Sequence, residues 1–209
     1  MFTTTALFVG TDTKPSHDIL LKGEKRVAVV PRSMYSNAAD VQNTPREIAR
    51  HVNNLLDDNI RKNARLNYRN KKLTLVEQKS VEAWLDDRNN DFDSFTEAGR
   101  DKTIKADIVI GIDIIGFQIR NPQNPSLIQG KCHVQVQAIE VATGKVLSSD
   151  NIPIVDPPNM PISGGPDLEA QFRPQFVRVV AERIAALYHY YDRNKLDRID
   201  ADNIGMHRY

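Results

Sequence analysis

A single cysteine, Cys132, is all the thiol chemistry this 209-residue chain holds. That excludes an intrachain disulfide framework and any multi-cysteine metal site. Charge of one sign is lacking too: 28 Lys plus Arg face 27 Asp plus Glu, a formal net charge of +1. Dedicated nucleic-acid binders carry a clear basic excess, so the balance argues against that class. Long apolar runs are also missing. Ala6-Leu7-Phe8-Val9-Gly10 is the only one near the start. A secretory signal needs a basic n-region and roughly 7–15 apolar residues, and a membrane helix needs roughly 18–20. The chain is therefore expected to be soluble, without a visible signal peptide or transmembrane helix. Phosphate-cradling and catalytic signatures are absent as well: no G-x-x-x-x-G-K-S/T, G-x-G-x-x-G, G-x-S-x-G or H-E-x-x-H occurs.

What is present is ordinary globular material, 40% apolar and 26% charged. A chain of this mass buries about 70% of its surface on folding, so its core needs no staple. Residues 1–25 show no clear period and read as an arm, ordered only where something packs on it. Arg26-Val27-Ala28-Val29-Val30-Pro31 reads as a buried strand. Thr44-Pro45-Arg46-Glu47 carries a helix start, with Thr44 as N-cap, Pro45 at the first helical position and Glu47 reaching back. Ile48, Val52, Leu55, Leu56 and Ile60 then form one apolar stripe, which predicts an amphipathic helix over 45–62.

A second strand is expected at 73–77 and a short helix around 80–86, burying Val81, Trp84 and Leu85. Residues 91–94 cap a further helix that turns Phe95 and Ala98 inward. The near-continuous apolar run 107–115 predicts a strand covered on both faces. Over 131–138, Cys132, Val134, Val136 and Ala138 alternate with Lys131, His133, Gln135 and Gln137, so one face is buried and one is wet. Ala142-Thr143-Gly144 turns the chain into a strand over 145–152. Five of eleven prolines fall within 153–166, so that stretch reads as an ordered excursion or a flexible loop, not an element. The last helix is expected over 172–191, with Pro174 in its first turn or kinking it. Residues 192–209 read as a charged tail.

Candidate chemistry is sparse. Asp87–Asp93 invites comparison with a calcium loop, but the glycine and the closing glutamate positions are Phe92 and Ala98. Helix termination is the better reading. Cys132 and His133 are neighbours on a strand and point to opposite faces, so they form no thiolate–imidazole dyad. His17, His51, His189 and His207 lack metal-ligand spacing. Asp113, a carboxylate inside an apolar strand, is the one charge that calls for a partner. It is expected near a strand end, paired with an Arg or Lys. No catalytic, cofactor-binding or metal-ligating residue is assigned, and no cofactor is expected.

The pieces carry a resemblance. Arg26–Pro31 followed by an amphipathic helix, Leu73–Gln78 leading into Trp84-Leu85, Lys105-Ala106-Asp107-Ile108-Val109-Ile110-Gly111, and the hairpin Ile139-Glu140-Val141-Ala142-Thr143-Gly144-Lys145-Val146 resemble the curli-secretion lipoprotein and TolB amino-terminal-domain group. They resemble even more the bacterial cell-envelope proteins of that layout. The resemblance spans about 25–191 and implies a non-catalytic domain acting through protein–protein contacts, periplasmic or at the outer membrane. Some members of that group build rings or pores. This chain departs from the group: Cys132 is no lipobox cysteine, and no long amphipathic hairpin is evident. Peripheral membrane association is left open, and nucleic acid is not an expected partner.

The expected architecture is α/β, a three-layer sandwich with a mixed sheet of about five strands, in the order β-α-β-α-α-β-β-β-α. The expected organisation is an arm (1–25), one domain (26–191) and a tail (192–209). The expected function is assembly or binding at the cell envelope, with self-association or other envelope proteins as partners. The alternative is a small-molecule-binding or hydrolytic site near Asp113.

Overall fold

A computed structural model describes residues 12–13, 15–21, 24–33, 43–62, 73–121, 123–158, 160–189 and 191–192. Its main sheet runs in the order β3-β2-β4-β5-β6, with the short β7 also on β5. The strands are β2 (Lys25–Ser33), β3 (Leu73–Leu75), β4 (Ile108–Asn121), β5 (Asn124–Glu140), β6 (Val146–Asp156) and β7 (Ile162–Ser163). β2 is parallel to both β3 and β4, whereas β4, β5 and β6 form an antiparallel meander. Two residues near each end, β1 (Asp12–Thr13) and β8 (Tyr191–Asp192), pair antiparallel. The helices are α1 (Thr44–Lys62), α2 (Gln78–Asp87), α3 (Phe95–Arg100) and α4 (Pro166–Ala185).

Period-2 alternation divides the sheet between two cores. Val27 and Val29 of β2, the even-numbered isoleucines 108–114 of β4, and Val134 and Val136 of β5 point one way. There they meet Ile48, Val52 and Leu56 of α1 and Phe176, Val180 and Ile184 of α4. Ala28, Val30, Val109 and Ile139 point the other way, onto Val81, Trp84 and Leu85 of α2 and Phe95 and Ala98 of α3. Helices thus lie on both faces of a mixed sheet, the three layers expected from the element order.

Several local expectations shift. The Asn43 carbonyl accepts the first helical bond of α1, from the Glu47 amide at 2.9 Å, so the helix starts at Thr44, the expected cap, one residue earlier than expected. Thr44 and Glu47 instead tie α1 to α4: Arg173 donates to Thr44 Oγ1 at 2.8 Å and pairs with Glu47 at 3.0 Å. The expected stop at Pro153 does not occur, and β6 runs on to Asp156. Pro153 is tolerated because β6 is the sheet's edge, where a missing N–H costs no ladder bond. α4 begins at Pro166, six residues earlier than expected, with proline in its first turn. Pro174 therefore sits inside the helix. Residues 80–86 and 95–100 are helical as expected, and Phe92 is buried just past the turn that ends α2.

The α3 cap follows the sequence closely. Ser94 Oγ accepts from the Thr96 amide at 3.3 Å, and Glu97 Oε1 accepts from the Ser94 amide at 3.1 Å. Ser94→Ala is expected to destabilise the fold by about 1 kcal/mol. Urea unfolding of the two proteins measures this, and a loss below about 0.3 kcal/mol would rule out a working cap.

Candidate functional site

β2 and β4 are aligned so that Arg32 is the register partner of Asp113. Both lie on the face covered by α3. Asp113 sits within β4 rather than at its end, and its side chain is 5% exposed. Arg32 holds it with a two-pronged bridge, Nε to Oδ1 at 2.6 Å and Nη2 to Oδ2 at 3.0 Å. The third guanidinium nitrogen reaches the Asp93 carbonyl at 3.3 Å. The guanidinium lies 4.6 Å from the Phe95 ring centre and 5.5 Å from that of Phe92. Two parallel charge-assisted bonds and two aromatic faces account for the charges of both partners. The expected basic partner of Asp113 is thus Arg32.

Gly111 belongs to this arrangement. A Cβ there would meet the Phe95 ring at 2.5 Å, so only glycine lets Phe95 lie flat on β4 and reach Arg32. Phe95 in turn stacks edge-on against Phe92, and Phe92 against Trp84.

Beyond the bridge the same face is open. α2 and α3 pack on β2, β4 and the end of β5. Lys131 and His133 of β5 and Ser149, Asn151, Pro153 and Val155 of β6 are exposed, while Gln118, Gln135 and Gln137 are half-buried. Their opposite faces, Cys132, Val134, Val136 and Ala138, are buried. The strand expected to be wet on one face is so. His133 is hydrogen-bonded across the ladder to Asn151. Amides dominate this surface, and each offers both a donor and an acceptor. Cys132 stands on the other side from His133, and burial pushes its thiol up to about 12, so it stays protonated and unreactive at neutral pH.

At the opposite edge of β6 lies a groove of about 210 Å³, lined by Ile152, Pro153, Ile154, Val155, Val179 and Arg183. Further along β6, Asp150 Oδ2 meets His17 Nε2 at 2.7 Å. Tyr188 is buried, its hydroxyl 3.3 Å from Ser148 Oγ, and burial pushes its phenol well above the ordinary range. Tyr191 belongs to β8, and Tyr190 lies outside the described residues. His17 and Asp150 carried no signal in the sequence, since 133 positions separate them.

No family model and no curated protein matches this chain. Solved structures do resemble it at low identity. The hypothetical protein CT253 from Chlamydia trachomatis is 12% identical over 87% of this chain and 99% of its own, with a TM-score of 0.45. The PelC dodecamer from Paraburkholderia phytofirmans is 13% identical over 78% of this chain and 86% of its own, at 0.42. Lipoprotein GNA1162 from Neisseria meningitidis is 12% identical over 75% and 98%, at 0.40. Among the described residues, no helix is long and apolar enough to cross a membrane.

Proposed function

We propose that this chain is a non-catalytic binding or assembly component of the bacterial cell envelope, acting through protein–protein contacts and associating with copies of itself. The observation that carries the reading is the uncovered face of β5 and β6. On one side α1 and α4 cover β2, β3, β4 and β5, whereas α2 and α3 cover only part of the other. The remainder presents Gln118, Gln135, Gln137, Ser149 and Asn151 in a plane. Rigid strands hold these groups, so a partner is bound with little ordering cost.

A periplasmic or outer-membrane-associated place follows the resemblance of the segments 105–111 and 139–146 to envelope domains. The bridge between Arg32 and Asp113 supports a structural role for that carboxylate, since both its oxygens are bonded.

Light scattering of the full chain, and of chains lacking residues 1–25 or 192–209, tests the assembly. The full chain is expected to exceed the mass of one copy as concentration rises, and at least one deletion to reduce it. A single-copy mass unaffected by both deletions would overturn the reading. Gln135→Lys combined with Gln137→Lys adds two charges to the face and is expected to weaken association about tenfold if a second copy docks there.

A further inference from the structure

Residues 15–21 meet parts of the chain that are distant in sequence. The His17 amide donates to the Leu187 carbonyl at 2.8 Å. Its imidazole meets Asp150 at 2.7 Å and lies 5.8 Å from the Tyr188 ring. Leu20 is buried in the larger core, with Ile19 packed against it. Upstream, β1 adds one short pairing, to β8. The seat for this arm is therefore built largely from β6 and the chain following α4. The arm itself is joined to β2 through only three residues, 22–24, one of which is Gly23.

We propose that this arm exchanges between copies, so that Asp12–Leu21 of one chain fills the seat at Asp150, Leu187 and Tyr188 of a second. The inference rests on the self-association proposed above and names the segment that carries it. The arm's fit to the seat is already present within one chain, so exchange needs no new complementarity. The contacts that hold the arm include two long-range hydrogen bonds, one buried leucine and a two-residue ladder, against the long ladders between β4, β5 and β6. An element so lightly held opens locally while the sheet stays intact. A connection only three residues long is a short hinge, the situation in which swapping is favoured.

Two tagged versions of the chain, each with Cys132→Ala, distinguish the arrangements. One carries His17→Cys and the other Asp150→Cys; Leu20 and the backbone bond still hold the arm in both. After mixing at high concentration, a short bismaleimide is expected to join the two versions. His17→Cys mixed with Val155→Cys is expected to give little product. Lengthening the 22–24 link with about six Gly and Ser residues is expected to shift association about tenfold toward monomer, with the melting temperature unchanged. An oligomer that yields only intrachain products from a His17→Cys/Asp150→Cys chain, and ignores the longer link, would overturn the exchange while leaving self-association standing. A monomer at every concentration would overturn both.

Discussion

Replacing Arg32 with methionine is expected to cost about 3–4 kcal/mol, more than replacing its partner. The reason is where each charge is left. Without Arg32, the Asp113 carboxylate stays 5% exposed with its two-pronged partner gone, and removing one member of a buried pair typically costs about 3–5 kcal/mol. The contact of the guanidinium with Phe95 and Phe92 is lost as well. Asp113→Asn leaves the opposite situation. Arg32 is 28% exposed, so its charge can turn to water, and the amide oxygen still accepts one bond. About 1–2 kcal/mol is expected there. The double replacement Arg32→Met/Asp113→Leu removes both charges together and should recover most of the loss, ending within about 1 kcal/mol of the parent. Urea denaturation of the four proteins closes the cycle. Equal losses for the two single changes would sink the argument from unequal burial.

Phe176→Ala is expected to be at least as damaging, at about 3–5 kcal/mol. The ring is fully buried in the larger core, 5.3 Å from Phe117 and 5.9 Å from Phe172 by ring centres. It lies directly on Gly130, where a Cβ would come within 2.5 Å of it. Gly130→Ala is therefore expected to cost about 1–3 kcal/mol by overpacking. The two sites are in contact, so their effects should not add. In Phe176→Leu, where the flat ring is gone, Gly130→Ala should cost less than it does in the parent. An unchanged cost would mean that the ring is not what confines Gly130. Either large loss is a substantial share of the roughly 5–15 kcal/mol that holds a domain folded, so both variants should be measured at low temperature.

Much of the architecture was legible because its periods are local. The stripe Ile48–Ile60 and the alternation through Cys132–Ala138 each need only a few consecutive residues to reveal a face; Cys132, Val134, Val136 and Ala138 are buried, as are Ile48, Val52 and Leu56, while Leu55 and Ile60 are half-buried. Asp113 stood out because a carboxylate interrupts an apolar run. Its partner did not, because Arg32 is 81 positions away and lies just past Pro31, the expected strand end. His17 and Asp150 were hidden for the same reason. Proline misled twice, in opposite directions. Pro153 suggested an end where an edge strand simply continues, and Pro174 suggested a start where a helix is already under way. In both cases local chemistry was read correctly, but tertiary position decides whether the missing N–H matters. Gly111 and Gly130 likewise gave no sign of the rings they accommodate.

The mixed order of the sheet also bears on how the chain finds its fold. β4, β5, β6 and α4 follow one another with short connections, so their contacts close small loops. β2 joins this meander only through β4, across the whole stretch that holds α1, β3, α2 and α3. Loop-closure entropy grows with that separation, and distant pairings are generally made late. Within the main sheet, the seam expected to form last is then the one between β2 and β4, and the Arg32–Asp113 bridge is its clasp. A salt bridge placed there does more for the register of the final strand than for the overall stability of the sheet. A chain lacking it would be expected to reach its meander at the usual rate and to hesitate over where β2 belongs.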